Sequence, residues 1–140
     1  MPELPSEQAK LVALAIEARD RAYAPYSGYS VGAALLDENG RAFVGVNVEN
    51  AAYGSTICAE RSAICTMVSA GGRKIQALVV ATEDGGAPCG ACLQVISEFA
   101  DLSTPVVLCR ADGTSEAHGF GDFLPLAFTG DLLNRTKEHC

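Results

Sequence analysis

In residues 7–23, Leu11, Leu14, Ala15, Ala18 and Ala22 recur at intervals of three and four. That spacing lines one face of a helix with apolar side chains. Ser6 suits the N-cap, and Pro25 predicts the stop because proline has no N–H to continue the ladder. Residues 31–36 and 42–48 then read as strands around Asp37-Glu38-Asn39-Gly40, a hairpin with an Asn-Gly turn. Residues 58–70 read as a second helix, closed by Gly71-Gly72. Residues 75–82 form a nearly continuous apolar, β-branched run, the pattern of a strand buried on both faces. A loop over 83–88 leads to a third helix over 89–100 and a strand over 106–109. Asp112-Gly113 is a turn, 115–120 a weak strand, and the tail from Asp122 loop and short helix interrupted by Pro125.

This order predicts one α/β domain spanning residues 1–140, a mixed sheet with helices packed on it. Strands joined by crossover helices run parallel, whereas the opening hairpin is antiparallel. The 140 residues suffice for a core, and 49% of them are hydrophobic. No apolar run approaches the ~20 residues of a membrane helix, so no membrane partner is expected. Met1-Pro2-Glu3-Leu4-Pro5 has no signal-peptide pattern, which predicts a cytoplasmic protein. A net charge of −7 with only ten Lys and Arg argues against nucleic acid, whose binders replace counterions with a basic patch. A small neutral partner fits better.

The chemistry resides in Cys58-Ala59-Glu60 and Pro88-Cys89-Gly90-Ala91-Cys92. Six cysteines could make three disulfides, but C-x-x-C spacing without a secretion signal favours metal or redox chemistry. Three thiolates suit zinc, and a catalytic zinc takes three protein ligands and leaves a position for water. Glu60 need not be a ligand, and a carboxylate beside the site can move that water's proton. Cys89 and Cys92 share one helix face. Cys58 and Glu60 diverge in mid-helix but can both reach a point beyond a helix end. Arg61 can donate to the thiolates and tune their charge, although a solvated helix residue would read the same way. Cys65 lies ~10.5 Å along the helix from Cys58, too far for the same ion, and reads as a small buried hydrophobe. Cys109 reads as core, Cys140 as free, and His118 and His139 sit in no motif.

The paired motifs C-x-E and P-C-x-x-C are a signature of zinc-dependent nucleobase deaminases. The chain resembles the small, homotetrameric cytidine deaminases that hold zinc through three cysteines. The likeness also includes Pro25-Tyr26-Ser27, Val31-Gly32-Ala33-Ala34-Leu35, Asn47-Val48-Glu49-Asn50-Ala51, Tyr53-Gly54, and Leu124-Pro125 with Phe128. It implies one zinc per chain on Cys58, Cys89 and Cys92, with Glu60 as proton shuttle. It further implies that Asn47 and Glu49 bond the sugar 3′-hydroxyl and that Ala59 offers its backbone amide to the base. Tyr29 stands where the family usually has Phe, lining the base pocket. Tyr53 and Phe128 are implied to reach a neighbouring subunit's site, Phe128 over the base, in a homotetramer with shared active sites. Leu93 replaces a common Arg, and Val46 a common Cys. From the residues alone, Asn47 and Glu49 share one side of a strand and could simply face solvent; Tyr29 and Phe128 could be core.

The expected reaction is hydrolytic deamination of cytidine and 2′-deoxycytidine to uridine and 2′-deoxyuridine, releasing ammonia for pyrimidine salvage. One alternative keeps the zinc and changes the substrate, to a blasticidin-type aminonucleoside or a base within nucleic acid. Another is a thioredoxin-like redox protein using Cys89-Gly90-Ala91-Cys92, which leaves Cys58-Ala59-Glu60 unexplained. A non-enzymatic zinc module would need a fourth ligand, from Cys109 or a His.

Overall fold

In the computed structural model, which describes residues 4–133, three helices and five strands alternate much as the apolar pattern predicts. They are α1 (Ser6–Arg19), β1 (Gly32–Asp37), β2 (Ala42–Val46), α2 (Ala59–Ser69), β3 (Ile75–Thr82), α3 (Gly90–Phe99), β4 (Pro105–Arg110) and β5 (Ser115–Gly119). The strands form one sheet in the order β2-β1-β3-β4-β5. β1 is antiparallel to both β2 and β3, β3 is parallel to β4, and β5 returns antiparallel to β4. α3 therefore crosses between parallel neighbours. α2 passes over β1 to join β2 with β3, which run the same way on either side of it. This is the α/β class with the mixed sheet that was expected.

Alternation along the strands divides the core into two layers. Ala34, Leu36, Ala77, Val79, Ala81 and Val107 pack against Leu11 and Ala15 of α1. Ala33, Leu35, Leu78, Val80, Val106 and Leu108 face the other way, toward Ala63, Ile64 and Met67 of α2 and Cys92 and Ile96 of α3. β1 is buried along its whole length because helices cover both its faces.

Two glycines set how closely the helices lie on the sheet. A Cβ on Gly45 in β2 would sit 2.4 Å from the Ala63 nitrogen and 2.5 Å from the Ala59 carbonyl oxygen in α2. One on Gly32 would sit 2.1 Å from the Ala15 carbonyl oxygen in α1. Both positions are backbone against backbone, where no rotamer change can make room.

Several boundaries differ from the sequence reading. α1 stops at Arg19, well short of residue 23, and Pro5 rather than Ser6 occupies its N-cap position. The chain leaves the helix early because Tyr23 pairs with the segment after β2. Its N–H donates to the Asn47 carbonyl at 3.0 Å, and its own carbonyl accepts from the Glu49 N–H at 2.8 Å. For the same reason the second strand ends at Val46, and Val48 forms isolated bridges to Tyr23 and Ile57. Cys65 is exposed rather than buried, since it lies on the face of α2 turned away from the sheet. Cys109 is core as expected. Helical turns occur from Gly130 to Leu133 in the tail; Cys140 and His139 lie outside the described residues. No disulfide joins the five described cysteines.

Gly45→Ala should lower stability by about 1–3 kcal/mol, the usual cost of overpacking. Gly130→Ala, with open space at its Cβ position, should change it little. Urea denaturation midpoints check both; an unaffected Gly45→Ala would mean that α2 can ride outward freely.

Candidate active site

α2 and α3 begin at one place, and each is preceded by a cysteine at its N-cap. Cys58 and Cys89 have extended backbones (φ −75°, ψ 155° and φ −72°, ψ 166°), and neither side chain caps its helix. Position N-cap usually carries an oxygen that accepts from the first turn. Here a sulfur takes that place and points past the helix end. Cys92 stands one turn into α3 and is fully buried. The three Sγ atoms lie within 4.8 Å of one another, with Cys89 and Cys92 3.5 Å apart. Tetrahedral zinc with ~2.3 Å bonds to sulfur needs sulfurs roughly 3.8 Å apart. The cluster is therefore positioned to coordinate a single zinc ion.

The electrostatics also suit a cation held by thiolates. The Cys92 thiol, hydrogen-bonded to the Cys58 sulfur, together with Arg61 holds Cys58 down at about 5, against the opposing effect of burial. Nη2 of Arg61 donates to the Cys58 sulfur at 3.3 Å. The hydrogen bond to Cys58, burial and the Glu60 charge push the Cys92 thiol upward. Glu60, the second residue of α2, is only 4% exposed. Burial raises its carboxyl above the ordinary range, and the Cys58 charge adds to that.

Cys58, Cys89 and Glu60 line a cavity of about 270 Å³ that Ser27, Tyr29, Val31, Asn47 and Glu49 help to wall. Asn47 and Glu49 are each 7% exposed, so they do not face bulk solvent. Asn47 clamps the chain before β1: its Oδ1 accepts from the Val31 N–H at 2.9 Å and its Nδ2 donates to the Tyr29 carbonyl at 2.8 Å. Oε1 of Glu49 accepts from the N–H groups of Tyr26 (2.9 Å) and Ser27 (3.1 Å), and Oε2 accepts a short bond from the Ser27 hydroxyl. The Ser27 hydroxyl, ahead of the backbone donors, holds the Glu49 carboxyl below its usual range although burial opposes this.

Ala59 lines the same cavity. Tyr53 and Phe128 do not line it. They are 64% and 58% exposed, with Tyr53 beside Tyr26 at 6.0 Å between ring centroids and the Phe128 carbonyl accepting from Gln94 at 2.8 Å. His118 lies in β5, paired with Asp122 at 3.8 Å. Two contributors escaped the sequence reading. Ser27 sits within Pro25-Tyr26-Ser27 without a sequence signal for its role, and Thr82 reads from sequence only as the end of a strand. No local pattern marks either, because their partners are 22 residues away or across a turn.

Residues 5–109 match the family described as the cytidine and deoxycytidylate deaminase zinc-binding region. The chain is 46% identical to the cytidine deaminase of Sporosarcina psychrophila over 131 residues, covering 92% of this chain and 96% of that one. It is similar in structure to the cytidine deaminase of Burkholderia pseudomallei, with 46% identity, a TM-score of 0.80, and coverage of 85% and 97% respectively. The corresponding values for the enzyme of Mycobacterium tuberculosis are 36%, 0.76, 89% and 98%.

Metal analysis should find one zinc per chain. Cys89→Ala should lose most of it, whereas Cys65→Ala, far from the cluster, should keep it. Equal zinc in the two variants would refute the ligand assignment.

Proposed function

Because the chain belongs to the cytidine and deoxycytidylate deaminase family, we propose that Cys58, Cys89 and Cys92 hold its zinc and that Glu60 moves the protons of its reaction. That reaction is the zinc-dependent hydrolytic deamination of cytidine and 2′-deoxycytidine to uridine and 2′-deoxyuridine. One observation carries the reading: three sulfurs cluster within 4.8 Å of one another, and two of them, Cys58 and Cys89, line with the buried Glu60 a pocket whose wall carries Asn47 and Glu49.

When bound, zinc acidifies the attacking water and so supplies a nucleophile near neutral pH. Glu60 takes a proton from that water and delivers it to N3 of the cytosine ring as C4 becomes tetrahedral. The same carboxyl then carries the remaining proton from the oxygen now on C4 to the amino group, which leaves as ammonia as C4 becomes a carbonyl. A group that is base first and acid later works best with a pKa near the operating pH. The upward displacement by burial serves this. The Ala59 N–H binds the base. The Glu49 carboxylate accepts from the sugar 3′-hydroxyl and the Asn47 amide donates to it; Oε2 of Glu49 retains a lone pair beyond the one facing Ser27. Arg61 offsets thiolate charge.

The assembly is a homotetramer with shared sites in a single-domain subunit. In its favour, Tyr53 and Phe128 stand exposed away from their own cavity, as residues serving a neighbour would, and Tyr23, Tyr26, Val48 and Ile57 are exposed as well. No described helix is long and apolar enough to cross a membrane. A cytoplasmic location would keep the thiol ligands reduced.

Glu60→Gln should keep its zinc and lose at least ~10²–10⁴ in turnover, read as the fall in cytidine absorbance alongside zinc content. An active variant would refute the proton role. Phe128→Ala should weaken turnover or binding by up to about a hundredfold, if base stacking contributes ~1–3 kcal/mol. Co-expressing it with a Glu60→Ala chain should restore activity per intact Glu60. No rescue in verified hybrid oligomers would mean that Phe128 does not act across subunits.

A further inference from the structure

The loop from β3 to α3, residues 83–89, forms the pocket wall opposite the chain before β1. It contributes Gly86, Ala87 and Cys89 to the lining, and the other wall contributes Ser27, Tyr29 and Val31. One side-chain bond joins the two walls: the Tyr29 hydroxyl donates to Oδ1 of Asp84 at 2.6 Å. That oxygen also accepts from the Gly86 N–H at 3.1 Å and the Thr82 hydroxyl at 3.3 Å. Oγ1 of Thr82 in turn accepts from the N–H groups of Gly85 (2.7 Å) and Gly86 (2.9 Å). The loop is thus wound around Asp84 and Thr82.

Tyr29 is held chiefly at its hydroxyl, which also faces Thr82. It is 37% exposed, and the core does not enclose it. Its backbone is held by Asn47 at the carbonyl and by the Ser27 hydroxyl at the N–H, 3.0 Å away. The direction of the ring is left to the hydroxyl. Gly86 completes the fit, since a Cβ there would stand 2.9 Å from the Tyr29 hydroxyl oxygen and 3.3 Å from Asp84 Oδ1.

We propose that Asp84 is a positioning residue for substrate binding: it latches the 83–89 loop to Tyr29 and holds that ring across the pocket mouth. Phenylalanine at position 29 could supply the ring without the latch. The inference rests on the nucleoside reading of the pocket. The electrostatics agree with the geometry. Burial and the Asp84 hydrogen bond raise the Tyr29 hydroxyl above its ordinary range, and the Tyr29 hydroxyl holds the Asp84 carboxyl below its own. Asp84 is exposed, so water competes for the bond and the effect is modest.

The test uses the zinc-loaded enzyme and cytidine, with Tyr29→Phe, Asp84→Ala, their double variant and Asp84→Asn. Each of the first two should raise KM about three- to tenfold while kcat changes less than about twofold, the span of one hydrogen bond of this strength. The double variant should be no worse than Asp84→Ala alone, because that substitution already removes the Tyr29 bond together with those to Gly86 and Thr82. Asp84→Asn keeps an acceptor oxygen and should fall between wild type and Asp84→Ala. Without substrate, amide exchange at Gly85 and Gly86 should quicken several-fold in Tyr29→Phe, a readout that needs no turnover. Wild-type KM and exchange in Tyr29→Phe, or single effects that multiply in the double variant, would overturn the latch. Quickened exchange in a protein whose wild type leaves cytidine unchanged would instead overturn the nucleoside reading and the binding role with it.

Discussion

Three sulfurs can share one ion only if two helices start at the same point. Everything else about the site depends on that meeting of α2 and α3. α3 is placed by the parallel pair β3 and β4, because a crossover helix must pack back on the sheet that it joins. α2 is placed by contact with β2 at Gly45, where its backbone comes closer than any side chain would allow. The ligand spacing is therefore a property of helix-to-sheet distance, fixed in the core and read out at the helix ends.

The same arrangement handles the charge. Three thiolates with a divalent ion carry a net charge of about −1. That would weaken the metal's pull on water and make a nearby carboxylate costly. Each helix N-terminus contributes about half a positive charge, and Arg61 adds a full one in contact with Cys58. Together these outweigh the excess. Burial still acts on Glu60, whose carboxyl lines the pocket with little exposure and rises accordingly.

Asn47 and Glu49 have a structural job beside the proposed one. They sit where a substrate hydroxyl is proposed to bind, yet their side chains also hold residues 26–31 in place. The wall of the pocket is thus built by the groups proposed to read the ligand. A substitution at either position will mix lost binding with a loosened wall, and Tyr29 will move with it.

The period of apolar residues fixes the elements and their order, because each helix or strand must bury one face whatever its neighbours are. The spacing within Cys58-Ala59-Glu60 and Cys89-Gly90-Ala91-Cys92 likewise identifies the metal chemistry, since those distances are set within a turn of helix. Tertiary structure decides what depends on distant partners. α1 ends at Arg19 because Tyr23 finds a strand partner near Asn47, which no local propensity at residues 20–23 announces. Cys65 is exposed and Cys92 buried because only one face of each helix meets the sheet. The sequence marks Asn47 and Glu49 as polar neighbours on one strand face, and their burial follows from the 26–31 segment folding over them. Asp84 reads as an ordinary turn residue until the fold brings Tyr29, 55 positions earlier, within 2.6 Å of it. Short-range spacing is written in the chain, whereas contacts across the sheet exist only after the backbone has closed around them.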